Sequence, residues 1–369
     1  MSEKIAAIVM PKWGMAMEEG TVVAWHAEEG AAVTEGQEVV DVESPKIANA
    51  IEAKQGGLLR RRVAALGDVL PVGGLLGVIA GAEVPEADID AFVKGYVTPA
   101  GEGGAAAGPS VASIEAGGRR FAYLDQGAGE PPLVLIHGFG GDLGSWMFNQ
   151  PALAEARRVI AIDLPGHGGS QKDVGDGSVA GLAAAIGTAI DALGLARYHL
   201  AGHSLGGAVA LAIAGARPQQ VASLVLVASA GLGPEIDGGF IADFTAAERR
   251  KEMTGVAQML FADPALVTRK LVEDMLRIKR IDGVTEAMRR IAARSFAQGR
   301  QAEDVAAPFP DAVPTLVIWG GKDRIVPASH ADKITGARKE IFPAAGHMVH
   351  AEAYAEVNRL IGEFCAANG

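Results

Sequence analysis

Three residue types that together cleave acyl bonds occur in this chain in short, distinctive contexts. Ser204 is the centre of a G-x-S-x-G motif, which lies between an apolar run at 198–201 and an alanine-rich helical pattern. A strand that turns sharply into a helix at such a motif exposes the serine hydroxyl above the sheet, beside the N–H groups of the helix N-terminus. The sequence therefore predicts that Ser204 is a nucleophile.

A serine hydroxyl is inert without a base and an acid that orients the base. Residues 314–319 predict a buried strand followed by a loop with Asp323, and residues 342–346 predict a strand end followed by His347. This chain order is that of α/β-hydrolases, and the chain resembles that family from about residue 111 to its C-terminus. Asp237 is an alternative acid, because some hydrolases take the acid from after the preceding strand.

The resemblance extends to a loop that follows an earlier buried strand. Residues 133–136 are apolar and lead into His137-Gly138-Phe139-Gly140-Gly141, which is similar to the family's oxyanion loop. It implies that the backbone N–H groups of Phe139 and Leu205 stabilise the oxyanion of a tetrahedral intermediate. His137 is expected to hold the loop by hydrogen bonding, and Asp163 and His167 are expected to be structural.

Strands and helices alternate through residues 111–369, which predicts a mainly parallel sheet covered on both faces. Residues 234–310 show helical patterns only, at the place where the family inserts a cap. The methionines and aromatics of this cap either line an acyl pocket or form its core. Between 249 and 300 there are 12 Lys or Arg against 6 Asp or Glu. A solvated helix face is favoured over a site for coenzyme A phosphates or another anionic partner.

Residues 1–80 predict a separate, β-rich domain. Two alternating strands flank Ser44-Pro45-Lys46-Ile47, which places Lys46 at the tip of a hairpin beside acidic Asp41 and Glu43. The stretch resembles a lipoyl domain, in which the hairpin lysine carries lipoic acid in amide linkage, so the resemblance assigns lipoate to Lys46. A biotinyl domain shares the fold, but its lysine typically lies between methionines. The neighbours of Lys46 are Pro45 and Ile47 instead.

The stretch 81–110 predicts a flexible linker, since it is punctuated by prolines and contains a run of glycine and alanine at 101–108. Ile89, Phe92 and Val93 have helical spacing within it. A short helix at this place either docks on a domain or a partner, or forms only transiently.

Composition excludes several classes of protein. The chain has 369 residues, of which 49% are hydrophobic, and a net charge of -11 that argues against a nucleic-acid partner. Cys365 is the single cysteine and fits a reducing compartment. No signal peptide or membrane span is apparent, which predicts a soluble, cytoplasmic protein. Metal-site spacings such as H-E-x-x-H are absent, so no metal is expected.

Together, a lipoyl domain and a serine triad resemble the E2 components of acetoin dehydrogenase complexes. That resemblance implies a thiamine-diphosphate E1, an FAD-dependent dihydrolipoamide dehydrogenase E3, and acetyl transfer from lipoate to coenzyme A. The H-x-x-x-D-G motif of other E2 acetyltransferases is absent, so transfer is expected to run through Ser204. Two alternatives remain open: a lipoyl-bearing thioesterase or esterase, and a non-catalytic lipoyl carrier or scaffold.

Overall fold

The computed structural model describes residues 5–11, 19–44, 47–96, 110–301 and 312–369. The chain divides into two compact units, Met1–Ser110 and Val111–Gly369. The strands of the first unit are β1 (Ile5–Val9), β2 (Glu19–Trp25), β3 (Ala32–Val33), β4 (Glu38–Ser44), β5 (Ile47–Glu52), β6 (Gly57–Arg62), β7 (Val69–Pro71) and β8 (Leu75–Ala80). They form two four-stranded sheets, in the orders β1-β8-β6-β3 and β5-β4-β2-β7.

The core of the first unit follows from side-chain alternation along its strands. On β4, Val40 and Val42 are buried, whereas Glu43 is exposed. Strands β4 and β5 pair in antiparallel register down to Ser44 opposite Ile47, as the hairpin prediction requires. Lys46 itself lies outside the described residues.

Helix α1 (Glu86–Gly95) lies within the stretch 81–110 that was predicted to be a flexible linker, at the helical spacing noted for Ile89, Phe92 and Val93. Its Ile89 is fully buried in a small core with Val78 and Val84. The Arg60 guanidinium, on β6, donates hydrogen bonds to the carbonyl groups of Gly81 and Val84 at 2.7 and 2.9 Å. The helix therefore docks on the first unit, which was one of the two alternatives. Residues 97–109 of the predicted linker lie outside the described residues.

The second unit contains one eight-stranded sheet. Its strands are β9 (Ala112–Ala116), β10 (Arg119–Gln126), β11 (Leu133–Ile136), β12 (Val159–Ile162), β13 (Tyr198–His203), β14 (Val221–Val227), β15 (Thr315–Gly320) and β16 (Arg338–Phe342). Their order is β16-β15-β14-β13-β11-β12-β10-β9. The neighbours from β16 to β12 are parallel, while β10 pairs antiparallel with both β9 and β12. Side chains of β11 alternate between two separate hydrophobic cores, one on each face.

Helices cover both faces of this sheet and build the predicted cap. They are α2 (Gln150–Ala154), α3 (Val179–Ala192), α4 (Leu205–Ala216), the cap helices α5 (Gly238–Ala246), α6 (Arg250–Leu260), α7 (Arg269–Lys279) and α8 (Val284–Ser295), then α9 (Val349–Glu352) and α10 (Tyr354–Ala367). Across the ranges described, none of the helices is long and apolar enough to cross a lipid bilayer. The prediction of an α/β fold with a helical insertion is confirmed.

Candidate active site

Ser204 occupies the tight turn between β13 and α4. Its backbone has φ 52° and ψ -118°, a combination that non-glycine residues seldom adopt. The turn is held from both sides, since the Ser204 N–H donates to Val227 and its carbonyl accepts from Ala230, both at 3.0 Å. Close packing requires a glycine before the serine, because a Cβ on Gly202 would lie 2.2 Å from the carbonyl oxygen of Gly206. The strain therefore presents the Ser204 side chain at the C-terminal end of the parallel strands.

Asp323 and His347 follow β15 and β16, and the fold brings them together. The Nδ1 atom of His347 lies 2.8 Å from Oδ2 of Asp323. The other carboxylate oxygen accepts the N–H groups of Ile325 and Val326 at 2.8 and 3.0 Å, which fixes its orientation. Nδ1–H of His347 thus donates to Asp323, and Nε2 is left free to accept a proton. Asp237, the alternative acid, instead caps α5 by accepting the N–H of Phe240.

His203 joins the nucleophile turn to the loop of His347. Its Nε2–H donates to the carbonyl oxygen of His347 at 3.0 Å, and the two rings have centroids 4.8 Å apart. Complete burial holds the pKa of His203 well below its usual value, so the ring is neutral. Within the described ranges, no hydrogen bond joins Ser204 Oγ to His347. The bond from His203 to the His347 carbonyl nevertheless brings the two segments together, because Ser204 directly follows His203 in the chain. Catalytic hydrogen bonds commonly tighten only when substrate binds.

Two buried histidines hold the loop that contains Phe139. His137 donates from Nδ1 to the Gly138 carbonyl at 2.8 Å and accepts the Leu164 N–H at Nε2 at 3.0 Å. His167 accepts the Gly140 N–H at Nε2 at 3.1 Å. Burial lowers the pKa of His137 to about 4 and that of His167 to about 3, so both act as neutral hydrogen-bonding groups. The structural roles predicted for them are confirmed.

The two N–H groups predicted to form an oxyanion hole have different origins. That of Leu205 belongs to the first residue of α4, and that of Phe139 belongs to the loop after β11. Neither donates a hydrogen bond to an acceptor in the part of the chain that the structure describes. Both groups therefore retain their hydrogen-bonding capacity for a ligand, at a helix N-terminus that favours negative charge.

The cap aromatics fall into two groups by what they contact. Phe240 and Met253 are buried within the cap, as core residues are. Phe244 of α5 and Phe296, which follows α8, pack on the Phe139 ring with centroid separations of 5.8 and 5.9 Å. These two rings therefore lie beside the loop that contains Phe139.

Helix α6 is fastened to the loop of His347. The carboxylate of Glu352 accepts the N–H of Gly346 at 2.8 Å and that of Ala262 at 2.9 Å. The N–H of Met348 donates to the Leu260 carbonyl at 3.1 Å, and Arg324 donates to the Phe261 carbonyl at 3.0 Å. We call these contacts the cap clamp. Sequence analysis missed it, as it missed the contact of His203, because the partners are far apart in the chain.

The basic segment at 249–300 keeps a net charge of +6, although six of its twelve basic residues form ion pairs with acidic residues of the same segment. Lys279 is buried instead and caps α5 by donating to the carbonyl groups of Phe244 and Thr245. The ion pairs of the segment are Arg249–Glu252, Arg250–Glu273, Arg269–Glu273, Lys270–Asp274, Arg277–Asp274 and Arg289–Glu286. These exposed pairs fit the favoured prediction of a solvated helix face.

Comparison with protein families identifies both halves of the chain. The family described as alpha/beta hydrolase fold matches residues 131–354. The biotin/lipoyl family, described as biotin-requiring enzyme, matches residues 6–79.

Two relatives match nearly the whole chain. Both are named dihydrolipoyllysine-residue acetyltransferase component of acetoin cleaving system. The protein from Pseudomonas putida is 49% identical over 96% of this chain and 97% of its own length. That from Cupriavidus necator is 44% identical over 98% of this chain and 97% of its own length.

Among solved structures, the second unit is similar to hydrolases. A meta-cleavage product hydrolase from Pseudomonas fluorescens matches with a TM-score of 0.63 and 28% identity, over 70% of this chain and 98% of the hydrolase. A serine hydrolase involved in carbazole degradation matches with a TM-score of 0.63 and 25% identity, over 70% of this chain and 100% of its own.

Proposed function

This chain belongs to the dihydrolipoyllysine-residue acetyltransferase components of acetoin-cleaving systems, and on that premise we propose that it transfers acetyl from a lipoyl arm on Lys46 to coenzyme A through Ser204. It is an acyltransferase with an α/β-hydrolase fold.

Lys46 is the proposed attachment site of lipoate. The pairing of Ser44 with Ile47 leaves only Pro45 and Lys46 between the ends of β4 and β5. A lysine between the ends of an antiparallel hairpin suits a long covalent arm, and the biotin/lipoyl family match supports it. Bound lipoate supplies, in its reduced form, a thiol that carries acetyl as a thioester.

Acylation of Ser204 is the first half of the proposed reaction. His347 removes the hydroxyl proton at Nε2 while Asp323 holds Nδ1–H, so the imidazolium that forms is stabilised. The bond from Ser204 Oγ to the acyl carbon forms, the carbon–sulfur bond breaks, and the departing thiol takes the proton from His347. The N–H groups of Phe139 and Leu205 donate to the oxyanion, with an effect of roughly 3–4 kcal/mol per donor.

Deacylation reverses these roles with coenzyme A as the acceptor. His347 takes the proton of the incoming thiol, the new carbon–sulfur bond forms, and the bond to Ser204 Oγ breaks. The proton then returns from His347 to Ser204, so the enzyme regains its starting state. No oxidant or reductant is consumed in this transfer.

The observation that carries the proposal is the hydrogen bond of 2.8 Å between Asp323 and His347, at the strand ends beside the strained Ser204. The test uses free acetyl-dihydrolipoamide as donor and measures acetyl-coenzyme A and acetate by chromatography. Acetyl-coenzyme A should form with the wild-type chain and fall to background with Ser204→Ala. Formation at an undiminished rate with Ser204→Ala would overturn the role of Ser204.

A second candidate function, thioester hydrolysis, is favoured by the similarity of the second unit to solved hydrolases. Water and a thiol compete for the same acyl-serine, and exclusion of water by the cap favours the thiol. In the same assay, acetate that accumulates at one rate with and without coenzyme A, without any acetyl-coenzyme A, would replace the transferase proposal by the thioesterase.

The lipoyl site has its own test. Intact mass of protein from lipoate-fed cells should show one lipoyl addition, which Lys46→Arg removes and the exposed control Lys54→Arg retains. A lipoyl group that persists in Lys46→Arg would disprove the assignment.

As a component of an acetoin-cleaving system, the chain works beside other enzymes. The partners that the proposal requires are a thiamine-diphosphate E1 that loads the arm and an FAD-dependent dihydrolipoamide dehydrogenase E3 that reoxidises it.

A further inference from the structure

A cavity of about 450 Å³ lies in the cap between the facing sides of α5 and α8. Its volume is in the range of small-molecule pockets. Most of its lining consists of glycine and alanine, including Ala242, Ala246 and Ala293, which are exposed. The cavity therefore reaches the protein surface. The buried lining residues Ile241 and Phe296, 5% and 6% exposed, form its floor.

Phe296 borders both this cavity and the oxyanion loop. It is one of the residues that line the cavity, and its ring packs edge-on against Phe139, with centroids 5.9 Å apart and planes at 84°. Neither Ser204, Asp323 nor His347 lines the cavity. Phe296 is thus a residue that both lines the cavity and contacts the oxyanion loop.

Phe244 fills the same region from α5. Its ring packs on Phe139 with centroids 5.8 Å apart. The contact with the loop is so close that a Cβ on Gly140 would lie 2.2 Å from the Phe244 ring. Ser204 is only 8% exposed. The rings of Phe244 and Phe296 thus both pack on the oxyanion loop from the cap.

We propose that Phe296 determines acyl-chain specificity: it closes the cap cavity off from the acyl site and thereby restricts the acyl group on Ser204 to about the size of acetyl. The inference rests on the proposed acyl-serine but is independent of the acceptor, whether thiol or water. One methylene too many in a closed pocket costs roughly 10- to 200-fold in kcat/KM. Removal of the Phe296 ring would join the cavity to the acyl site and accommodate a longer chain.

The test measures kcat/KM of the full chain for p-nitrophenyl acetate, butyrate and hexanoate. Ser204 Oγ displaces nitrophenolate, which is counted, and water then releases the carboxylic acid. In the wild type, the value for hexanoate should be at least about 10-fold below that for acetate. Phe296→Ala should raise the hexanoate-to-acetate ratio by about 10-fold or more, and Phe296→Leu, which disturbs folding less, should raise it by a smaller factor. A ratio does not depend on the fraction of folded protein.

Two further variants isolate the role of the cavity. Phe240→Ala removes a buried ring that packs on Phe244 but does not line the cavity, and it should leave the ratio unchanged. Adding Ala292→Trp to Phe296→Ala should fill the cavity and cancel the gain. Equal cleavage of hexanoate and acetate by the wild type, or an unchanged ratio in both Phe296 variants, would overturn the inference. Absence of any Ser204-dependent ester cleavage would instead contradict the proposed function.

Discussion

The carboxylate of Asp323 has two tasks, one for each of its oxygens. Oδ1 accepts backbone N–H groups, and Oδ2 accepts Nδ1–H of His347. Asp323→Asn keeps an oxygen for the first task but presents an amide to His347, which favours the wrong tautomer. We expect kcat for ester cleavage to fall about 10³- to 10⁴-fold with an unchanged circular dichroism spectrum. Asp237→Asn is the matched control, and a comparable loss there would transfer the role to Asp237.

The ionised carboxylate of Asp142, just after the oxyanion loop, destabilises the folded state. Burial and the nearby Asp163 raise the pKa of Asp142 from 3.8 to about 6. The folded state therefore binds more protons than the unfolded state between these values, so the free energy of unfolding falls as pH rises from about 4 to 6. Asp142→Asn should remove this loss and keep the helix cap that Asp142 forms with Gly144.

We expect Asp142→Asn to be more stable than the wild type by on the order of 1–3 kcal/mol at pH 7.5, and by less at pH 5.5. Urea unfolding at both pH values measures the difference. Asp263→Asn changes an exposed residue that caps another 3-10 turn, and it should give no such pH-dependent gain. An equal effect of Asp142→Asn at the two pH values would contradict the argument.

Single motifs sufficed to locate the triad candidates in the sequence, but not the residues that hold them in place. Ser204 could be found because the strained turn has its own local glycine pattern, and His347 because a strand and loop precede it. His203 was visible only as a neighbour of Ser204. Its bond to the His347 carbonyl spans 144 residues, and no local pattern encodes such a pairing.

At the scale of elements, α1 extends the first unit beyond its predicted end at residue 80. Ile89 is fully buried against β8, and the Tyr96 hydroxyl donates to the Gly73 carbonyl at 2.9 Å. Ile89→Ala leaves a cavity, and we expect it to lower the free energy of docking by about 2–4 kcal/mol. Faster amide hydrogen exchange across 86–95 would report this loss. The exposed substitution Asp88→Ala should leave exchange nearly unchanged, and equal exchange in both variants would show that the helix is not held by Ile89.

The helical spacing of Ile89, Phe92 and Val93 was readable from the sequence, but the partner surface was not. Docking involves Arg60, which lies on a strand more than twenty residues earlier in the chain. Its guanidinium donates hydrogen bonds to the carbonyl groups of the turn before the helix. The packing partners of the cap helices could not be predicted from the sequence either. The helices themselves were predictable from periodicity, whereas the choice of Phe244 and Phe296 as the rings against Phe139 depends on how α5 and α8 pack.

For the molecule as a whole, buried neutral histidines make the second unit sensitive to acid. Burial lowers the pKa of five histidines there: His137, His167, His199, His203 and His350. Unfolding lets each take up a proton below about pH 6.5. The free energy of unfolding should therefore fall with falling pH, by about 1.4 kcal/mol per pH unit for each histidine.

The only histidine of the first unit, His26, is 40% exposed in its side chain. Calorimetry of the full chain should accordingly show one transition whose Tm drops steeply between pH 6.5 and 4.5, and another that changes less. Substitution Ser204→Ala, which leaves all five histidines in place, should preserve this pattern. Two transitions that shift in parallel would contradict the assignment to buried histidines.

The cap clamp joins the cap to the loop that contains His347, the proposed base, so we expect the cap and this loop to move together. Glu352 binds the loop of His347 and the end of α6 with the same carboxylate. On the proposed function, displacement of the cap would therefore displace His347 from Ser204 as well. Water that entered an opened cleft would then meet an acyl-serine without its base, so an acylated enzyme would resist hydrolysis until its thiol arrives.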